Sequence, residues 1–421
     1  MELSLSYGQG TIRAKIPPVR DILEVGTGFL PEIADLRQEI IKALKSPIGC
    51  RPLSCLARDA GSVTIVTSDQ TRPLPSNLIL PVLIDELLQA GIKREAISIL
   101  IGVGNHRGVT DEEKAMLLGS VYGKIRCLHS KETGYNFLGM TKRGTPVEVA
   151  VPVTQAGLVI ALGNIEFHQL AGFSGGVKAV AVGAASYRAL EHNHRLSTLG
   201  DSGLGVLDGN TVRQDMEEFA HMANLSFIIN VVLNEHGRPL AVIAGDPVKA
   251  HRVGCEEAKR VYAVPIEEPA DIVITCPGGE PKDVTVYQAQ KTMGNALRAV
   301  KDSGIVIVAA KCREGFGDKV FEHWMSQADS PGELLARSSR EFVLGGHKGA
   351  FVAQAVKRAR IFWVSDLPPA QVETLFFKPF NYLQDAVDLA CSTIGKDAGV
   401  LVLPWGGLTV PYVLETAGRA L

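Results

Sequence analysis

The chain has 421 residues, 46% of them hydrophobic and 21% charged, a length that favours two domains over a single core and a composition ordinary for a globular protein. A formal net charge of -2, with no Lys/Arg block, gives no general attraction to nucleic acid or acidic lipid and favours a small-molecule ligand. Seven cysteines without a CxxC pair argue against a disulfide framework or a Cys-rich zinc site. Together with a polar N-terminus and no apolar run of about 18 residues, they predict a cytoplasmic protein that does not span a membrane.

Residues 1 to 60 carry a short alternating opening and a helical pattern from Pro31 to Leu44, with no evident chemistry. SVTIVTSD then reads as a strand that runs into Asp69-Gln70-Thr71-Arg72-Pro73, where the proline ends regular structure. The planar guanidinium of Arg72 beside hydroxyl and backbone donors suits a phosphate or carboxylate, although the same segment also fits a capped helix start. After a helix near Leu78 to Ala90, the strand AISILIG leads into Gly102-Val103-Gly104-Asn105-His106-Arg107-Gly108. The glycine spacing is not that of a dinucleotide-binding turn, so the notable residue is His106, set among glycines at a strand's C-terminal end. Thr110 with three following acidic residues reads as a helix cap.

Short strands with turns follow from His129 to Val153, and GLVIALGN then delivers His168. The turn Gly172-Phe173-Ser174-Gly175-Gly176 lets backbone approach a ligand closely just before Lys178, which opens an Ala/Val-rich segment. In an apolar setting a lysine amine is more readily neutral, and a neutral amine is a usable nucleophile or attachment point. His192 and His194 stand two apart, so a helix turns at most one of them toward whatever Lys178 holds. A hairpin turning at Glu235-His236-Gly237 and a helix from Asp246 to about Val261 follow. His221, His236 and His251 read as surface or packing residues.

Near Pro265 a punctuated linker begins a second alternating set: DIVITCPGG, GIVIVAAKC, ARIFWVSD and GVLVLPWGG, separated by helical segments. The fold class expected is therefore α/β, with two α/β domains built on mostly parallel sheets and the active site in the interdomain cleft. The first domain is expected to span residues 1–268 and the second 269–408. A helix over 409–421 is expected to pack back on the first. Gln288 and Lys291, three apart on one helix face, present an amide and an ammonium suited to a carboxylate.

Taken together, the Asp69 to Arg72 segment, His106, His168, GFSGG, Lys178, His194, Gln288 and Lys291 resemble, in order, the motifs of the nickel-dependent lactate racemase family. The resemblance implies a nickel pincer nucleotide joined to Lys178 as a thioamide, with His194 as the protein's ligand to nickel. It further implies that Asp69, Gln70, Thr71 and Arg72 line the nucleotide, that His106 and His168 are the acid/base pair, and that Gln288 and Lys291 bind substrate. The reaction so implied is inversion at C2 of a 2-hydroxy acid: the cofactor takes the C2 hydrogen as hydride while a histidine removes the hydroxyl proton, through a 2-oxo acid. Separate enzymes would make the cofactor. Inverting a carbon centre indeed requires an acid/base group on each face.

One departure bears on the substrate. Lactate-acting relatives tend to have aromatic residues just after the catalytic histidine, whereas Gln169-Leu170 follow His168 here. An amide beside the side-chain pocket favours a polar substrate such as an aldonic acid or malate, with lactate as the alternative. Two readings from other classes are a Schiff-base lysine enzyme built on Lys178 and a non-catalytic carrier of the nickel cofactor.

Overall fold

Two six-stranded sheets organise the chain in a computed structural model, which describes residues 1–24, 30–395 and 397–414. Strands β1 (Glu2–Tyr7) and β2 (Gly10–Lys15) form an antiparallel hairpin, and β3 (Asp21–Ile22) is a short third strand. The chain divides into one unit of residues 28–261 and another of residues 1–27 with 262–421. Residues 1–27, expected in the first domain, are thus part of the C-terminal one. The reason is packing: Leu3, Leu5, Ala14 and Ile16 bury against Ile272, Ile274, Ile305 and Ile307.

In the unit 28–261 the strands are β4 (Val63–Ser68), β5 (Ile97–Gly102), β6 (Arg126–His129), the antiparallel pair β7 (Tyr135–Met140) and β8 (Pro146–Ala150), β9 (Leu158–Asn164), the small hairpin β10 (Phe167–His168) and β11 (Gly172–Phe173), β12 (Leu225–Leu233), and β13 (Pro239–Gly245). The main sheet runs β13-β12-β9-β4-β5-β6 and is parallel except for β13 at its edge. Every residue of β9 is buried, as befits a central strand covered on both faces. The helix Ser76–Gln89 follows β4, and Asp111–Leu118 opens with a full capping box between Thr110 and Glu113.

The other unit contains β14 (Ala263–Ile266), β15 (Ala270–Thr275), β16 (Val300–Ala309), β17 (Arg360–Val364), β18 (Lys378–Phe380), β19 (Val400–Leu403) and β20 (Val410–Val413). Its sheet, β18-β17-β16-β15-β19-β3, is parallel throughout. The helix expected over 409–421 is corrected where it can be seen: residues 410–413 are a strand paired in parallel with β14, while residues 415–421 lie outside the described residues. Two valines and a tyrosine favour extended backbone, and Pro411 offers no N–H for a helix. Among the described residues no helix is long and apolar enough to cross a membrane.

Candidate active site

The strand order of the unit 28–261 reverses between β4 and β9: the chain steps outward from β4 through β5 to β6, then returns on the other side with β9 and β12. At such a reversal the connections leave on opposite faces, and the crevice beyond the strand C-termini is where ligands bind in open α/β sheets. The Asp69 to Arg72 segment follows β4, His106 follows β5, and His168 follows β9. A separate cavity of about 320 Å³, lined by Ser62, Ser98, Arg126 and Gln155 among others, sits at the opposite, N-terminal edge and is lined by none of these residues.

Asp69, 3% exposed, accepts from the Thr71 backbone N–H at 3.1 Å and the Thr71 hydroxyl at 2.6 Å through Oδ1, and lies 2.7 Å from His106 Nδ1 through Oδ2. Burial pushes its carboxyl up, but hydrogen bonds from His106 and Thr71 and the charges of His106 and Arg72 outweigh that and hold it below the usual value. The carboxylate is therefore ionised, and His106 Nδ1 is the donor. Asp69, expected to line a nucleotide, thus orients the imidazole that follows the next strand. The Lys131 ammonium donates to the His106 carbonyl at 2.5 Å and anchors that loop.

His168 sits in the β10–β11 hairpin opposite Gly172. Its Nδ1 accepts two backbone N–H groups, from Leu170 at 3.2 Å and Ala171 at 3.1 Å. Gly172 has φ +73, and a Cβ there would stand 2.1 Å from the Val206 carbonyl oxygen, so the turn requires glycine. The hairpin is held from beneath by residues that sequence reasoning missed. Asn210 Nδ2 donates to the Leu170 carbonyl at 2.9 Å, and the fully buried Arg213 donates through Nε to Ala171 at 3.1 Å and through its terminal nitrogen to Phe173. His251 Nε2 donates to the Ser174 carbonyl at 2.8 Å, and Asn230 Oδ1 accepts from Gly176 at 2.7 Å. Burial lowers the Arg213 pKa to about 10, which leaves it charged at neutral pH, and burial followed by the Arg213 charge keeps His251 neutral. The only advance signal was Asn210 and Arg213 three apart at a helix start, which says nothing of what they face.

Lys178, half-buried, caps a π-helical turn, Ala179–Gly183, that packs against β4, β5 and β9. Such turns recur at functional sites. The turn reaches the His106 loop through two glycines: the Gly104 N–H donates to Gly183 at 3.1 Å, and a Cβ on Gly102 would come within 2.8 Å of the Gly183 carbonyl carbon.

The helix Tyr187–Arg195 carries His192 and His194. Buried Asp215 accepts from Thr141 Oγ1 at 2.5 Å, Thr145 Oγ1 at 2.7 Å and Asn193 Nδ2 at 2.8 Å. Because Thr145 donates to Asp215, it accepts from His192 Nδ1, 3.1 Å away. His192 is thereby tied into this brace, while His194 is on a different side of the helix and 9% exposed.

In the other unit, Lys291 Nζ donates to Gln288 Oε1 at 2.6 Å, so the two groups do share one side of their helical segment, which Thr285 caps. Gln169 is half-buried beside His168.

The residues present suit a bound group at the strand reversal. Gln70 Oε1 and Asn164 Nδ2, at the ends of β4 and β9, are buried without a hydrogen-bond partner among the described residues. Among the described residues no group of three His, Cys, Asp or Glu side chains converges as a metal cage.

Comparison with known proteins places these features in a lineage. Residues 7–205 match the model of the lactate racemase N-terminal domain and residues 266–410 that of the lactate racemase C-terminal domain. The chain is 32% identical over 418 residues to a lactate racemase of Thermoanaerobacterium thermosaccharolyticum, covering 96% of this chain and 97% of that protein. It is 33% identical over 418 residues to the lactate racemase of Lactiplantibacillus plantarum, covering 96% and 98%. The lactate racemase apoprotein structure from T. thermosaccharolyticum superposes with a TM-score of 0.88 at 31% identity, covering 98% of this chain and all (100%) of that one. A Thermotoga maritima structure, 17% identical with a TM-score of 0.69, covering 91% of this chain and 100% of that one, shares the fold.

Proposed function

The chain belongs to the lactate racemase family of isomerases, for which a nickel-containing cofactor is expected, and we propose that it inverts C2 of a 2-hydroxy acid using a nickel pincer nucleotide. The observation that carries this reading is the pairing of buried Asp69 with His106 at the strand reversal, with His168 at the neighbouring strand end. When bound, the cofactor would supply an acceptor for the C2 hydrogen as hydride. Lys178 would hold it covalently, His194 would ligate nickel, and Gln70, Thr71 and Arg72 would contact the nucleotide. Arg72 contributes a planar donor for its phosphate. His106, backed by Asp69, removes the hydroxyl proton, and His168 serves the opposite face. Lys291 and Gln288 hold the substrate carboxylate and so fix C2 for the transfer. Cofactor supply by separate biosynthetic enzymes belongs to the same reading.

The Asp215 brace around His192 supports His194 as the nickel ligand. Nickel retained per protein after mild chelation should fall sharply in His194→Ala and stay near the parent value in His192→Ala. The reverse ranking would overturn the assignment.

For the substrate we favour a polar 2-hydroxy acid, an aldonic acid or malate, over lactate, because half-buried Gln169 directly follows His168 in the sequence. An amide left unpaired against a methyl group costs roughly 1–3 kcal/mol, which lowers catalytic efficiency on lactate by about tenfold or more. Single enantiomers or epimers of lactate, malate and several aldonic acids, incubated with nickel-loaded protein and followed for inversion at C2, make the comparison. Highest efficiency on lactate would remove Gln169 as a selecting residue and leave the racemase reading intact.

A further inference from the structure

We propose that the two histidines are held in opposite tautomers, so that the resting protein has one proton acceptor, His106, and one hydrogen-bond donor, His168. The proposal deepens the reading above and rests on its choice of these two residues as the acid/base pair. On His106, Nδ1 faces the Asp69 carboxylate at 2.7 Å and must carry the proton, leaving a lone pair on Nε2. When Nε2 takes a substrate hydroxyl proton, the O–H bond breaks, an N–H bond forms and the electron pair stays on oxygen. The positive charge that results on the ring lies beside Asp69. On His168 the arrangement is reversed. Nδ1 accepts from both Leu170 and Ala171, so its lone pair is engaged and the proton of the neutral ring is on Nε2.

A ring in that state polarises an oxygen but does not accept a proton at Nε2. Taking one would require a hydrogen on Nδ1, pointed at two N–H donors. His168 therefore moves protons only after the Leu170 and Ala171 N–H groups release it. That release is resisted by the hairpin's own supports, Asn210 on the Leu170 carbonyl and Arg213 on the Ala171 carbonyl. The turn 168–171 thus makes two chemically identical side chains unequal, and the two directions of inversion begin from different states of the protein.

The test needs neither cofactor nor substrate. Protein with ring-15N histidine, at about pH 8.5 so that imidazoles of ordinary pKa are neutral, is examined by long-range 15N–1H correlation, with His106→Gln and His168→Gln used to assign the two spin systems. The expected result is a pyrrole-type Nδ1 on His106 and a pyrrole-type Nε2 on His168. The same tautomer on both rings, or a protonated Nδ1 on His168, would overturn the proposal. Asp69→Asn gives a second measurement: Thr71 fixes the amide oxygen on its own side and turns the NH2 toward His106, so His106 should switch to a pyrrole-type Nε2. An unchanged His106 in that variant would equally overturn it. Failure of the racemase reading appears instead as absence of C2 inversion, with these spectra unaffected.

Discussion

Asp69→Asn is expected to lower kcat by about 10²- to 10⁴-fold while leaving thermal unfolding close to that of the parent protein. The substitution is isosteric, and Thr71, which donates both its backbone N–H and its hydroxyl to Oδ1, retains an acceptor only if the amide oxygen occupies that place. The NH2 group then faces His106 Nδ1, forces the proton onto Nε2, and removes the lone pair that takes the substrate proton. Because Asp69 acts through His106, the loss should fall on turnover more than on KM. Steady-state kinetics on nickel-loaded protein checks this, and turnover within a factor of about three of the parent would mean that His106 needs no partner.

Lys178→Ala is expected to abolish activity and, with it, the mass excess of a sulfur-containing nucleotide over the sequence mass. The lysine opens a π-helical turn and is half-buried, so alanine, a good helix former, keeps the backbone while deleting the only amine proposed as the anchor. Intact mass spectrometry of both proteins, made with the cofactor-producing enzymes present, separates loss of attachment from loss of fold. An unchanged adduct and full activity in Lys178→Ala would place the cofactor elsewhere.

The strands were legible because they are uninterrupted runs of β-branched and aliphatic residues: VTIVTS, ISILIG and LVIALGN read as strands, and their burial fits the interior of a parallel sheet. What escaped depends on partners distant in sequence. The alternation of Leu3 and Leu5 announces a strand, but only the second unit's isoleucines say where it packs. At the other end, Val410–Val413, expected as part of a helix, is a strand because β14 lies beside it. The candidate site divides the same way. Glycines, histidines and a lysine at strand ends stand out in the sequence because those residue types are rarely grouped without a chemical reason. The contact of Asp69 with His106, and the hold of Asn210, Arg213, Asn230 and His251 on the glycine-rich turn, join residues dozens of positions apart. No periodicity encodes those contacts. The π-helical turn after Lys178 is likewise invisible beforehand, since its Ala/Val run fits an ordinary helix equally well.

The most direct test of the central claim is the fate of the C2 hydrogen. Imidazole N–H protons exchange with solvent, so a hydrogen removed from C2 as a proton by His106 or His168 would be replaced by deuterium in D2O, whereas one held as hydride and returned would not. A single enantiomer or epimer of a 2-hydroxy acid is incubated with nickel-loaded protein in D2O and recovered after partial inversion. The account predicts inverted product that retains its original C2–H. Deuterium appearing at C2 as fast as inversion would contradict it.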